Sequence, residues 1–241
     1  MQKILWCFVL ELGIHFTVRA QETPVYTIKS GEIVSHVIPF KEQYYYNGFQ
    51  QGTVFFRNAT SLPAMLNYNR LYGEMQFIDT KGDTLALLEA LSLKKIAIDE
   101  KVFYYVHKTG FVEVITSHLP VKLARKQNLE IIKSTFKLVG TSGGLGMAAA
   151  PPTSTSGTPG YSYRKLYTQK TPGELQLAKQ TSYYFIDQNE RIYRAKKSIL
   201  LKLFGRHKKA IEQYVETNQI KFTREEDLKK LFEFCAQLLK K

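Results

Sequence analysis

The residues best suited to chemistry are few and scattered. Beyond the first twenty positions the histidines are His36, His107, His118 and His207. None keeps the close spacing to Cys, Asp or Glu that builds a zinc site, and no His-Glu-x-x-His run occurs. Asp79 and Asp83 form an acidic pair around Gly82, but Asp is expected there because its side chain bonds the nearby backbone of a tight turn. Gly143-Gly144-Leu145-Gly146 has the look of a phosphate cradle. A P-loop needs a Lys-Ser/Thr pair and a helix after the glycines, however, and Pro151-Pro152 opposes a helix opening there. No catalytic residue, cofactor or metal site is assigned on this basis, and the chain is expected not to be an enzyme; the alternative is an envelope hydrolase whose site is not recognisable in sequence.

Charge is the stronger chemical signal. The formal net charge is +13, and residues 161–241 hold 18 Lys and Arg against 9 Asp and Glu, so the C-terminal third carries most of the excess. Arg191, Arg194, Lys196, Lys197, Lys202, Arg206, Lys208 and Lys209 crowd one stretch. They form either a solvated basic face or an anion-binding surface, with phosphates of lipid headgroups or acidic glycans of the cell envelope as partners. A basic chain in the cytosol points first to nucleic acid. Here the N-terminus argues against that partner.

Residues 1–20 read as a secretory leader: Lys3 supplies the positive start, 4–16 the apolar stretch, and Val18-Arg19-Ala20 the cleavage site before Gln21. Glu11 and His15 interrupt the apolar stretch, which is too short to anchor the chain as a membrane-spanning helix. The expected location is periplasmic, outer-membrane associated or extracellular. Cys7 leaves with the leader, so the remaining Cys235 has no intramolecular partner for a disulfide. Its place on the apolar face of the last helix makes it a core residue.

The elements that must position these residues are mostly strands. Over 52–126 apolar and polar residues alternate between turn signals, the period of an antiparallel β-meander. Leu66 and Tyr68 share one face opposite Asn67 and Asn69. Turns follow at 71–73 and 79–83, and 102–106, 111–115 and 121–126 are further strands, while 85–93 suits strand or short helix. Upstream, 25–29 and 32–40 read as strands, and Asn47-Gly48 predicts a hairpin from Tyr44-Tyr45-Tyr46 into 53–57. These tyrosines could stack on sugar rings, but tyrosines of this kind more often pack one face in a strand. Asn58-Ala59-Thr60 matches a glycosylation sequon, to which no function is assigned.

Residues 128–139 predict one more strand. The charge-free Gly/Ala/Pro/Ser/Thr segment 141–162 predicts a mobile loop, since it buries too little apolar surface to offset its ordering entropy. Strands at 175–178, 182–186 and 191–195 follow, then helices at 198–204 and 206–217. A last helix is announced by a Thr223–Glu226 capping box and by Leu228, Leu231, Phe232, Cys235, Leu238 and Leu239 at helical spacing. The expected fold is mainly β with C-terminal helices, an α+β chain whose meander forms a curved sheet, a sandwich or a partial barrel. Its divisions are a leader at 1–20, the meander at 21–140, the loop at 141–162, a further hairpin on the same body at 163–195 and helices at 196–241.

Two stretches of the chain, taken as a pair, carry a resemblance to a known group. One is Leu66-Asn67-Tyr68-Asn69-Arg70-Leu71-Tyr72-Gly73-Glu74-Met75-Gln76-Phe77. The other runs from Tyr183-Tyr184-Phe185 through Ile192-Tyr193 and Leu200-Leu201-Lys202-Leu203-Phe204 to Phe222-Thr223-Arg224-Glu225-Glu226-Asp227-Leu228. The pair resembles uncharacterised secreted β-rich proteins of Bacteroidota-type bacteria, over most of the chain apart from 141–180. The resemblance implies a leader, a β body and a helical end, and no activity.

Overall fold

The computed structural model describes residues 23–87, 92–107, 109–118, 120–136 and 159–240. The leader, the glycine run at 143–146 and most of the 141–162 segment lie outside them. Eleven strands form one open, curved antiparallel sheet. In chain order they are β1 (Val25–Ile28), β2 (Gln50–Phe56), β3 (Ser61–Asn69), β4 (Glu74–Ile78), β5 (Thr84–Ala86), β6 (Leu93–Ile98), β7 (Lys101–Val106), β8 (Gly110–His118), β9 (Val121–Ser134), β10 (Leu175–Ile186) and β11 (Ile192–Arg194). The spatial order is β1-β10-β9-β8-β7-β6-β2-β3-β4-β5, with β11 beside β1 on the outer edge of β10. Hairpins therefore build the two arms β2–β5 and β6–β9, and β2 joins them by pairing with β6.

Register shifts interrupt the ladders in β2 between Phe55 and Phe56, in β8 between Val114 and Thr116, and where β9 meets β10 at Gln176 and Leu177. Such bulges bend a strand and raise its twist, which suits the curvature. At Gly52 the two arms pass closely. A Cβ there would lie 2.6 Å from the Ala97 carbonyl oxygen and 3.0 Å from a Leu66 methyl, so the position has no room for a side chain. Gly73, in the β3–β4 turn, has φ +70° and a would-be Cβ 3.0 Å from the Asn128 amide. It lets that turn lie against β9, whose Leu129 amide donates to the Arg70 carbonyl at 3.0 Å.

One face of the sheet carries nearly all the apolar clusters. Val54, Leu66, Tyr68, Met75, Ile96, Phe103 and Phe111 fill the first. Leu129, Leu175 and Leu177 form the second with Ile28, Val34, Ile38 and Tyr167. The latter group includes α1 (Val34–Val37) and α3 (Pro159–Thr168), and α2 (Phe40–Gln43) follows α1 directly. Val121, Leu123, Tyr183 and Phe185 form the third beneath α4 (Lys197–Leu203), α5 (Lys208–Thr217) and α6 (Glu225–Leu239), whose Leu228, Leu231, Phe232 and Cys235 are fully buried. Phe185 stacks on Phe232 with ring centroids 5.7 Å apart. Burial of Cys235 pushes its thiol up to about 12, so it serves as an apolar core residue. The opposite face carries a smaller cluster around Tyr104, Val112, Ala124, Tyr184 and Ile186.

Several local expectations change. Residues 32–40 form the short helices α1 and the start of α2 rather than a strand. Val34 and Ile38, one helical turn apart, both enter the core, and packing overrides the β propensity of their branched side chains. Asn47-Gly48 makes no hairpin: Tyr44 bridges to Asn69 of β3, while β2 pairs with β3 and β6. Segments 121–126 and 128–134 are one strand, β9, which stops short of the expected end at 139, with 137–139 outside the described residues, and 175–178 and 182–186 are one strand, β10. Helix α3 takes the end of the segment read as loop and the start of that read as hairpin; it opens on Pro159, whose fixed φ suits a first helical position. The capping box does not form. Helix α6 starts at Glu225 with Arg224 as its N-cap and no side-chain cap bond, so Thr223 falls one position before the cap and Glu226 is not the third helical residue that a box needs. Glu225 bonds Arg125, and Asp227 accepts from the Lys221 amide.

Gly52→Ala is expected to destabilise the fold by about 1–3 kcal/mol, the usual cost of forcing atoms into a packed interior. Chemical denaturation followed by circular dichroism measures it, and an unchanged midpoint would show that the arms do not press together there.

Candidate functional site

Among the described residues, polar side chains gather at two places inside the molecule, and the eight cations of 191–209 lie outside. The first internal group lies between two apolar clusters. Strand pairing sets Phe103, Glu113, Arg125 and Tyr183 in one row across β7, β8, β9 and β10. Glu113 is only 3 % exposed. Arg125 grips it with a fork, Nε to Oε2 at 2.8 Å and Nη2 to Oε1 at 3.4 Å, the geometry in which a guanidinium matches a carboxylate best. The Tyr45 hydroxyl donates to Glu113 Oε1 at 2.9 Å, and Arg125 Nη2 donates to that hydroxyl at 3.3 Å. The remaining arm of Arg125, Nη1, reaches Glu225 of α6 at 2.8 Å, and Lys229 holds the same carboxylate from one turn on at 2.7 Å. Lys101 stands 3.6 Å from Glu113.

Electrostatics follow from this geometry. Burial works against charge on Arg125, but the hydrogen bonds and negative charges of Glu113 and Glu225 outweigh it and hold the guanidinium above its ordinary range. Burial likewise opposes charge on Glu225, yet bonds from Lys229 and Arg125 bring its carboxyl below the usual carboxylate range. Desolvation and the neighbouring Glu113 raise the Tyr45 hydroxyl. Each acceptor of Glu113 is already engaged by the fold, so the group ties α6 and the Tyr45 segment to the sheet.

The second group lies on β3 and β4, where Asn67 opposes Gln76 and Asn69 opposes Glu74. The two asparagines are fully buried. Asn67 bonds the Tyr46 amide and the Tyr46 and Gly48 carbonyls, and Asn69 Oδ1 accepts from the amides of Leu71 and Tyr72. Gln76 donates to Glu74 at 2.6 Å and accepts from the Tyr44 hydroxyl at 2.7 Å. Glu74 closes the set with an ion pair to Arg164 of α3, whose guanidinium lies 4.9 Å over the Tyr72 ring. Burial raises the Glu74 carboxyl despite Arg164. Arg70 donates to the Tyr44 carbonyl at 2.5 Å and lies 5.0 Å over the Tyr45 ring.

These contacts answer the question raised by Tyr44-Tyr45-Tyr46. Their hydroxyls turn inward to Gln76, Glu113 and the Ile98 carbonyl, which is packing rather than a platform presented to sugars. His36 and His107 are exposed and His207 is half-buried. Among the described residues no group of three His, Cys, Asp or Glu could hold a metal ion. The sequence is expected to hold no Gly-x-Ser-x-Gly elbow, but Gly140-Thr141-Ser142-Gly143-Gly144 has the spacing of such a hydrolase nucleophile turn, and the run lies outside the described residues.

The eight cations expected to bind anions divide by place. Arg191 and Arg194 are exposed at β11, Lys196 is exposed at the N-cap of α4, and Lys202, Arg206, Lys208 and Lys209 are exposed around the α4–α5 corner. Lys197 alone of the eight is in a described ion pair, with Glu212 at 3.3 Å and Glu216 at 2.8 Å. Between Arg191 and Ile211 there is no Asp or Glu. No protein-family model, curated protein or solved structure matches the chain.

Two outcomes test the inner network. Arg125→Met leaves Glu113 buried without its partner and is expected to cost about 3–5 kcal/mol, whereas adding Glu113→Leu is expected to recover most of that loss. Denaturant titration of both variants decides it; equal losses would show that the pair is not acting as a unit. Glu225 has its folded pKa below the unfolded value of about 4.3. Its stabilisation is therefore complete above that value and is lost as pH falls through the folded pKa. Melting temperatures of the parent and Glu225→Gln should differ at pH 7 and converge only once the pH falls below the folded pKa. A difference that persists unchanged into strong acid would contradict the assignment.

Proposed function

We propose that this chain is an exported, non-catalytic β-rich binding or structural protein of the cell envelope, with an anion-binding surface at its C-terminal helical end. The observation that carries the reading is the stretch 191–211, which has eight cations and no carboxylate, seven of the eight being exposed. Positive charges left unneutralised at a surface raise the local concentration of anions. The leader read at 1–20 and the resemblance to secreted β-rich proteins support placing those anions in the envelope. Among the described residues no helix is long and apolar enough to cross a membrane.

Salt-dependent retention on heparin tests the binding, and N-terminal sequencing of the purified protein tests export. The parent is expected to start at Gln21 and to elute from heparin only at raised salt. Reversing Arg191, Arg194, Lys196, Lys202, Arg206, Lys208 and Lys209 to Glu should abolish retention while the far-ultraviolet spectrum stays the same. Undiminished retention would end the anion-binding reading, and an intact cytosolic chain would end the envelope reading.

A further inference from the structure

We infer that the α4–α5 corner is a docking surface for an anionic lipid bilayer, an inference that rests on the anion-binding reading and narrows it to one place and one partner. The structure separates the eight cations by what surrounds them. At the start of α4, Lys197 is neutralised by Glu212 and Glu216 from α5, so that side of the helix pair carries both signs. At the other end of α4, Lys202, Arg206, Lys208 and Lys209 are all exposed within eight residues and make no ion pair with another described residue. They surround Gly205, where a side chain would meet nothing within 4 Å. The corner therefore projects into open space.

The form of the corner favours a surface over a discrete ligand. A single anion or sugar is selected by a concave site with a few fixed polar groups and, for sugars, an aromatic face. Here Phe204, the aromatic at the corner, is buried in the core beneath. The large apolar side chains that are exposed among the described residues, such as Phe40, Leu62 and Leu85, lie elsewhere in the chain. Binding is thus electrostatic without apolar insertion, which gives reversible attachment to a charged leaflet that weakens with salt. The sheet holds the corner rigidly, since Leu200, Leu201, Phe204 and Ile211 on either side of it are buried against Phe185 and Phe232.

Vesicle co-sedimentation of the protein purified from the secreting cell tests this. The probes are neutral phosphatidylcholine vesicles and vesicles with about one-third phosphatidylglycerol, at low and high salt, alongside heparin retention. The parent is expected to sediment with the anionic vesicles alone and to be released by salt. Replacing Lys202, Arg206, Lys208 and Lys209 with Glu should weaken vesicle binding at least about tenfold. An equal charge change at Lys81, Lys94, Lys133 and Lys170 should weaken it far less. Heparin retention without capture by anionic vesicles would overturn the bilayer and leave the anion-binding reading standing; loss of both would overturn both. Equal weakening by the two sets of changes would overturn the corner, and capture by neutral vesicles would show that binding is not electrostatic.

Discussion

A carboxylate buried in the middle of a sheet has to be met by a cation, and the Glu113–Arg125 pair is where this molecule meets that requirement. An unpaired charge so placed would cost several kcal/mol. Arg125 meets the need through two of its nitrogens, Nε and Nη2, and turns Nη1 to Glu225, so a single side chain joins β8, β9 and α6. Apolar clusters lie on both sides of it. The contact of the helices with the sheet is thus fixed in register as well as driven by burial of Phe185 and Phe232.

The pairing depends on a bulge. Near the β8–β9 turn, His118 faces Val121, Ser117 faces Lys122 and Thr116 faces Leu123, while beyond the shift Val114 faces Ala124 and Glu113 faces Arg125. Carried on without the shift, the first register would set Glu113 against Lys126. A slip of one residue exchanges the faces of a strand, so the extra residue aligns the charges that close the core. The aromatic and β-branched run at 111–115 and the stretch 121–126, each bounded by turn signals, made the two strands legible. Nothing in their composition marked the bulge, so the network stayed out of reach of sequence reasoning. The one available signal was a lone Glu among the apolar residues of 111–115.

Other parts were legible for plain reasons. Leu66, Tyr68, Met75 and Phe77 alternate with polar neighbours, and the turns at 71–73 and 79–83 hold glycines with positive φ. Cys235 and the leucines of α6 follow helical spacing into the core. The long strands β9 and β10 were not read whole, because Lys126-Gln127-Asn128 and Lys179-Gln180-Thr181 look like breaks. In the structure these polar runs face each other, Gln127 against Thr181 and Asn128 against Gln180, with a Gln127–Thr181 side-chain bond at 3.3 Å. Polar residues matched across two strands continue a ladder that either run alone would seem to end. The basic surface was legible in composition, but its division between a neutralised end at Lys197 and a bare corner at Lys202–Lys209 depends on where α5 places Glu212 and Glu216.

The helical end and the sheet share one core, so they are expected to open as one cooperative unit with the basic corner held in place. Native-state amide hydrogen exchange measures this directly, since it reports the opening free energy of each segment. Amides of Leu231, Phe232 and Cys235 in α6 should open with the same free energy and denaturant dependence as those of Leu123 and Phe185 in the sheet. Exchange of the α6 amides through an opening several kcal/mol easier than that of the sheet would contradict it.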